Sequence, residues 1–340
     1  MKFGVSLGLD LRTNAAEQRE NLYRLAALIE ELGFDYLSVG HHVFTPDTGD
    51  QSAPFVHLAA IAARTSRLRL ATGIYILPLY HPASVAEQVA TLDQISDGRV
   101  IFGIGVGYRD YEFRGHGVDI KTRGARTDDA MAALRGAWTS GRWSHRGRFW
   151  TIEDLEAHPP TVQRPHPPMW VGGNSPAALR RAGTLGDGWM SDNMLDIVRE
   201  KACVDLYRGF CAEAGRKAGA VCILRNAWVA PTREAAGEAV MPALRRFLEH
   251  YRRASVGTNP QRSLYSRIAH GEDVPLSEYT PGRALCGTPE DAIREVGRWR
   301  AEVGADYLQL MPSGPRTYET LRDMLTLFGK EVIPAVREAA

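Results

Sequence analysis

A chain of 340 residues with 41 basic and 40 acidic side chains has room for one large domain or two smaller ones, and its net charge of +1 offers no basic surplus for a nucleic acid. Hydrophobic residues make up 44% and charged residues 24%, enough for a sizeable core, while no apolar run reaches the length of a membrane span. Cys203, Cys211, Cys222 and Cys286 contain no CxxC pair, so they read as free thiols. The opening MKFGVSLGLDLR is too short an apolar run for a secretory leader and lacks a small-residue cleavage site, so a cytoplasmic location is expected.

The first strand is predicted at Phe3–Leu9. A helix over 16–32 follows, with Leu22, Leu25, Leu28, Ile29 and Leu32 on one face and Gly33 at its C-terminal cap. Phe34–Val39 is the second strand, running into Gly40-His41-His42. A polar loop and a helix at 55–64 lead to the most strongly patterned stretch. There two apolar runs, 68–77 and 99–106, flank a helix at 84–95 with Val85, Val89, Leu92 and Ile95 at helical spacing. Strand, helix, strand in this order is a βαβ unit with strands buried on both faces. Gly73 lies in the first run, and Gly103, Gly105 and Gly107 punctuate the second. Such glycines either let bare backbone approach a flat ligand or make a tight turn out of the strand. A dinucleotide-binding fingerprint is rejected, because Gly107 leads into a polar, aromatic, glycine-broken segment and not directly into a helix.

A helix over 122–138 precedes a hairpin around Arg146-Gly147 and a proline-rich connector at 158–168, together an insertion at about 141–168. Met169–Val171 is the fifth strand. It enters Gly172-Gly173-Asn174-Ser175-Pro176 and a helix at 177–185. Ser175 as N-cap and Pro176 at the first helical position make a strong helix start, and the two glycines leave backbone N–H groups open at its positive end: an anion site, or a well-capped turn and nothing more. Arg180-Arg181 reads as a solvated helix face. Strands at 188–190, 221–229, around Cys286 and at 306–311 alternate with helices at 196–214, 232–253, 288–304 and 318–337. Residues 254–285 show little periodicity and read as a lid-like insertion that sets specificity.

Strands alternating with helices, without a composition break, predict a single (β/α)8 TIM barrel over 1–340 with those two insertions; a doubly wound sheet is the alternative. The barrel places the C-terminal strand ends at Gly40–His42, Tyr75–Leu77, Gly105–Tyr111, Gly172–Ser175 and Trp189–Asp192 around one mouth. His42, a strand-end histidine, is the candidate for proton transfer, against a hydrogen-bonded structural role. His41 and His42 do not suit a metal pair, since adjacent strand residues point to opposite faces, and no metal site is expected. His81 reads as a cap before Pro82, Trp189 as packing, and Tyr108 as a candidate cofactor contact.

Five stretches, in this order, carry a resemblance: VGHHVFTP (39–46), TGIYILPLYHP (72–82), ATLDQISDGRVIFGIGVGY (90–108), PPMWVGGNSPAALRRAGTLGDGWM (167–190) and GTPEDA (287–292). The chain resembles the luciferase-like flavin- and F420-dependent oxidoreductases, with its poorest match at 250–285. The resemblance implies a TIM barrel holding F420 or FMN in the mouth against a bulge at Gly73-Ile74, where the family often has a non-prolyl cis peptide. It implies contacts from Gly105, Gly107 and Tyr108, and a phosphate tail on Gly172, Gly173, Asn174 and Ser175. The family's active-site histidine aligns with His42; where the family has an acidic neighbour this chain has His41, which joins the catalytic set as a departure from the pattern. Two chemistries follow. F420-dependent hydride transfer is favoured by the VGxHVFxP and 167–190 stretches; the other is FMNH2- and O2-dependent monooxygenation with a separate flavin reductase. A small, neutral or weakly polar organic substrate and a homodimer are expected. A metal-dependent TIM-barrel hydrolase is the alternative of another class, and a non-catalytic binding protein a third.

Overall fold

The computed structural model describes residues 1–7, 14–45, 52–253 and 264–339; the end of the predicted first strand, the loop at 46–51 and the insertion's first part at 254–263 lie outside them. The strands are β1 (Lys2–Leu7), β2 (Tyr36–Val39), β3 (Arg69–Thr72), β4 (Val100–Gly105), β5 (Met169–Gly172), β6 (Gly188–Met190), β7 (Ala220–Val229) and β8 (Tyr307–Pro312). Each pairs in parallel with its sequence neighbour, and β8 pairs with β1, so the sheet closes into an eight-stranded barrel. Among the described residues no helix is long and apolar enough to cross a membrane.

The helix starts follow local chemistry. Ser175 Oγ accepts from Ala178 N–H, His81 Nδ1 accepts from Ala83 N–H, and Thr288 with Asp291 completes a reciprocal capping box. The hairpin forms from Arg142–Arg146 and Thr151–Glu156. The described part of the second insertion is more ordered than its sequence suggests. It holds helices at Leu264–Ala269 and Leu276–Tyr279, and Asn226 Nδ2 on β7 donates to the buried Tyr279 hydroxyl over 2.7 Å.

The predicted run 68–77 is not one strand. It pairs as β3 up to Thr72, passes through a cis Gly73–Ile74 peptide, and resumes at Tyr75–Ile76 against Ile104–Gly105 of β4. The interruption shifts the side-chain alternation by one residue. Tyr75 therefore faces the outer core, against Phe55 and Phe102, while Ile74 turns into the lumen.

The lumen has two layers. Near its N-terminal end Tyr36, Ala71, Ile101, Trp170, Met190 and Cys222 form a buried cluster, with Tyr307 packed edge-on to both Tyr36 and Trp170. Two residues further along the strands, on the same face by the period of a strand, come Ser38, Gly73, Gly103, Gly172 and Gln309. Large rings thus close the bottom of the barrel, and small residues line the level beneath the mouth.

Candidate active site

The site begins with the end of β2. His42 is part-exposed, and its Nδ1 lies 2.9 Å from Glu112 Oε1. The Val43 N–H donates to the same oxygen over 3.1 Å, and Glu112 itself is fully buried. With the carboxylate as acceptor, Nδ1 carries the proton and donates, which leaves Nε2 as the ring's other working atom. Tyr108 stands edge-on to the ring at 5.7 Å. Glu112 Oε2 has no hydrogen-bond partner among the described residues. Glu112 comes from a short helix, Asp110–Gly115, in the segment after β4 that reads in the sequence as irregular. Sequence reasoning missed it; the available signal was an acid followed by an apolar residue, Glu112-Phe113, inside an otherwise polar loop. A carboxylate seventy residues away in sequence thus stands beside His42.

His41 points the other way. It is buried and stacks on Tyr75 at 4.5 Å. Its Nδ1 accepts from the Ile76 N–H over 3.1 Å, so its proton sits on Nε2, which donates to the Tyr80 hydroxyl over 3.1 Å. Burial, reinforced by His42 and His116, pushes its pKa down to about 3. With both nitrogens engaged, His41 anchors the backbone just after the Gly73–Ile74 bulge.

The strand glycines also make room for the bulge. A Cβ on Gly105 would fall 1.9 Å from Ile74 Cδ1, and one on Gly172 would fall 2.9 Å from the same atom. Ile74 therefore lies across β4 and β5, which can approach it only as bare backbone. Gly73 sits over Ser38 and Gln309, whose Nε2 donates to Ser38 Oγ over 2.7 Å. Gly107 takes φ +71° where the chain leaves β4 over Phe113. Tyr108 is exposed at the rim, and Arg109 Nε donates to its hydroxyl.

On the far side of the mouth the Gly172–Ser175 loop is firmly held. Trp189 Nε1 donates to Gly173 O over 2.8 Å, so Trp189 packs as expected and also ties down this turn. Gly173 N–H goes to Met190 O, and Ser175 Oγ takes Ala178 N–H. Among the described residues, the N–H groups of Asn174, Ser175 and Ala177 at the helix start find no acceptor. The Asn174 Nδ2 donates to Asp192 Oδ2 over 2.5 Å, which fixes the side chain and leaves its second N–H to be used. Burial raises the Asp192 pKa. Beneath it Arg225 and Glu200, both fully buried, pair at 2.5 Å and tie β7 to the helix Ile197–Glu213. Arg181 is not solvated: it is buried and pairs with Asp128, while Arg180 lies over Phe210. Among the described residues no three His, Cys, Asp or Glu side chains converge as a metal set.

The mouth of this parallel barrel thus carries a carboxylate-held histidine on one side and a capped glycine turn on the other. The profile of the luciferase-like monooxygenases matches residues 1–307, and the chain belongs to that family of enzymes. It is 30% identical over 334 residues to the FMNH2-dependent dimethylsulfone monooxygenase of Pseudomonas putida, covering 93% of this chain and 87% of that one. The crystal structure of monooxygenase RslO1 from Streptomyces bottropensis superposes with a TM-score of 0.82 at 28% identity, covering 98% and 99% of the two chains. An F420-dependent secondary alcohol dehydrogenase superposes with a TM-score of 0.78 at 23% identity, covering 99% of each chain, a likeness of fold.

Proposed function

We propose that the chain is the oxygenating component of a two-component monooxygenase, using FMNH2 from a separate reductase on a small organic substrate. The observation that carries this reading is the 30% identity across 93% of the chain to an FMNH2-dependent monooxygenase. The lining fits a flavin: open N–H groups of Asn174, Ser175 and Ala177 suit a phosphate, and the small residues around Ile74 suit a flat ring. Bound reduced flavin supplies the reducing equivalents for dioxygen. The protein's own part is to hold the phosphate on the Gly172–Ser175 turn, to pack Ile74 against the ring, and to move a proton at His42 Nε2 while Glu112 holds Nδ1. Tyr108 shields that proton path at the rim.

F420-dependent hydride transfer is the second reading, favoured by the resemblance of 39–46 and 167–190. Anaerobic titrations with FMNH2, FMN and F420 separate the two. Tightest binding of FMNH2 is expected; tightest binding of F420 replaces the proposal with the second reading. Within either reading His42→Ala should keep cofactor affinity and lower turnover by about 10²–10⁴-fold. Glu112→Gln should cost on the order of 10–100-fold, as loss of an orienting partner does. Unchanged turnover in both variants would remove the pair from the chemistry.

A further inference from the structure

Above the ring layer of the lumen, Gln309 of β8 reaches past β1 to Ser38 of β2, where its Nε2 donates to Ser38 Oγ over 2.7 Å. Gln309 stands in register with Gly4 of β1 and Leu224 of β7, inside the described part of the barrel. Both side chains of the pair are buried, Gln309 to 1% exposure. The other end of the amide, Oε1, is buried with no hydrogen-bond partner among the described residues. A carbonyl oxygen taken out of water and given no donor is costly. Packing alone does not call for it, since Met or Leu would fill a similar volume and strand no acceptor.

The amide lies against the bulge. A Cβ on Gly73 would fall 2.9 Å from Ser38 Oγ and 3.2 Å from Gln309 Nε2, so only bare backbone separates the pair from the surface assigned to the ring. Gly73 and Ile74 are half-buried and therefore open to the mouth. A group resting on them is the nearest source of the missing donor. Flavin chemistry makes that donor conditional. At ring position 5 an oxidised flavin has a nitrogen lone pair, which a carbonyl oxygen repels. The reduced flavin has an N–H there, which a carbonyl oxygen accepts. F420 has carbon at this position and offers no N–H in either state.

We propose that Gln309 is a specificity residue for the redox state of the cofactor, with Oε1 accepting from the N5–H of reduced flavin and Ser38 holding the amide in that orientation. The proposal deepens the monooxygenase reading and rests on it. An oxygenase component supplied with FMNH2 by a separate reductase must take up the reduced ring and let the oxidised one go. A donor present only in the reduced ring provides that difference, and the same acceptor disfavours F420.

Anaerobic titrations with three ligands test this: FMNH2, oxidised FMN and reduced 5-deaza-FMN, which keeps the phosphate and ring shape but has carbon at position 5. The wild type should bind FMNH2 about tenfold more tightly than reduced 5-deaza-FMN, the worth of one hydrogen bond to a buried acceptor. In the double variant Ser38→Ala, Gln309→Met, which removes the amide and the hydroxyl it would strand, FMNH2 should weaken about tenfold while the other two ligands keep their affinities. The wild-type comparison needs no variant, so it decides the matter even if the double variant fails to fold. Equal binding of FMNH2 and reduced 5-deaza-FMN to the wild type overturns the proposal alone. So does an equal loss for all three ligands in the variant, which would give Oε1 a donor common to both redox states. A loss confined to oxidised FMN also overturns it, because Nε2 would then face the ring. Failure of the wild type to bind FMNH2 at all overturns the monooxygenase reading and this proposal with it.

Discussion

The lower and upper levels of the barrel lumen are built from the same strands two residues apart, and they do opposite things. Below, Tyr36, Trp170 and Tyr307 meet edge to face and close the barrel, with a Cβ on Gly4 excluded because it would lie within the Tyr36 ring. Above, β2 to β5 present Ser38, Gly73, Gly103 and Gly172, and a bulge delivers Ile74 among them. The lower level maximises buried ring area, which stabilises the fold. On the β2–β5 side the upper level gives up side-chain volume, leaving bare backbone beside Ile74. Stability and site are thus separated along the barrel axis and not between domains.

The difference can be broken from below. Trp170→Ala should cost about 3–5 kcal/mol of unfolding free energy in a urea titration, since the plug cannot collapse around the loss, while the folded fraction still binds flavin. A cost under about 1 kcal/mol would mean that the rings do not hold the barrel together.

Breaking it from above should be milder for stability and more severe for binding. Gly105→Ala places a methyl against Ile74 Cδ1 and should cost about 1–3 kcal/mol and reduce flavin affinity, because Ile74 must leave its place across β4 and β5. Adding Ile74→Ala should recover the stability but not the affinity. If the stability loss persists in the double variant, the clash lies with backbone and not with Ile74.

The smallest effect sharpens the contrast between the two histidines. His41 titrates near pH 3 when folded and near 6.5 when unfolded, so between these values the unfolded chain binds more protons. Stability should therefore be complete above pH 6.5 and fall as the pH drops toward 3, by up to about 1.4 kcal/mol per unit from this residue. His41→Gln, which can still accept from Ile76 N–H and donate to Tyr80, should flatten the slope measured by thermal denaturation at pH 7 and pH 5. An unchanged slope would assign the acid sensitivity elsewhere.

Much of this was legible in the chain. Alternating apolar runs and helical periodicities gave the barrel, because burial on both faces and a 3.6-residue repeat are written into single segments. Ser175-Pro176 and Thr288-Pro289-Glu290-Asp291 announced their helix starts, because capping needs only neighbours in sequence. His42 stood out through its place at a strand end. Three things were decided only by the closed barrel. Which of two adjacent histidines faces the mouth depends on the strand's direction and on what surrounds each ring. Glu112 reaches His42 across seventy residues, a partnership that no local pattern encodes. The strand glycines, which in sequence invite a ligand, also make room for Ile74, whose direction follows from the bulge and the packing of three strands at once. Local preferences act within a few residues of each other, whereas the chemistry of this mouth is assembled by contacts that exist only after the sheet has closed.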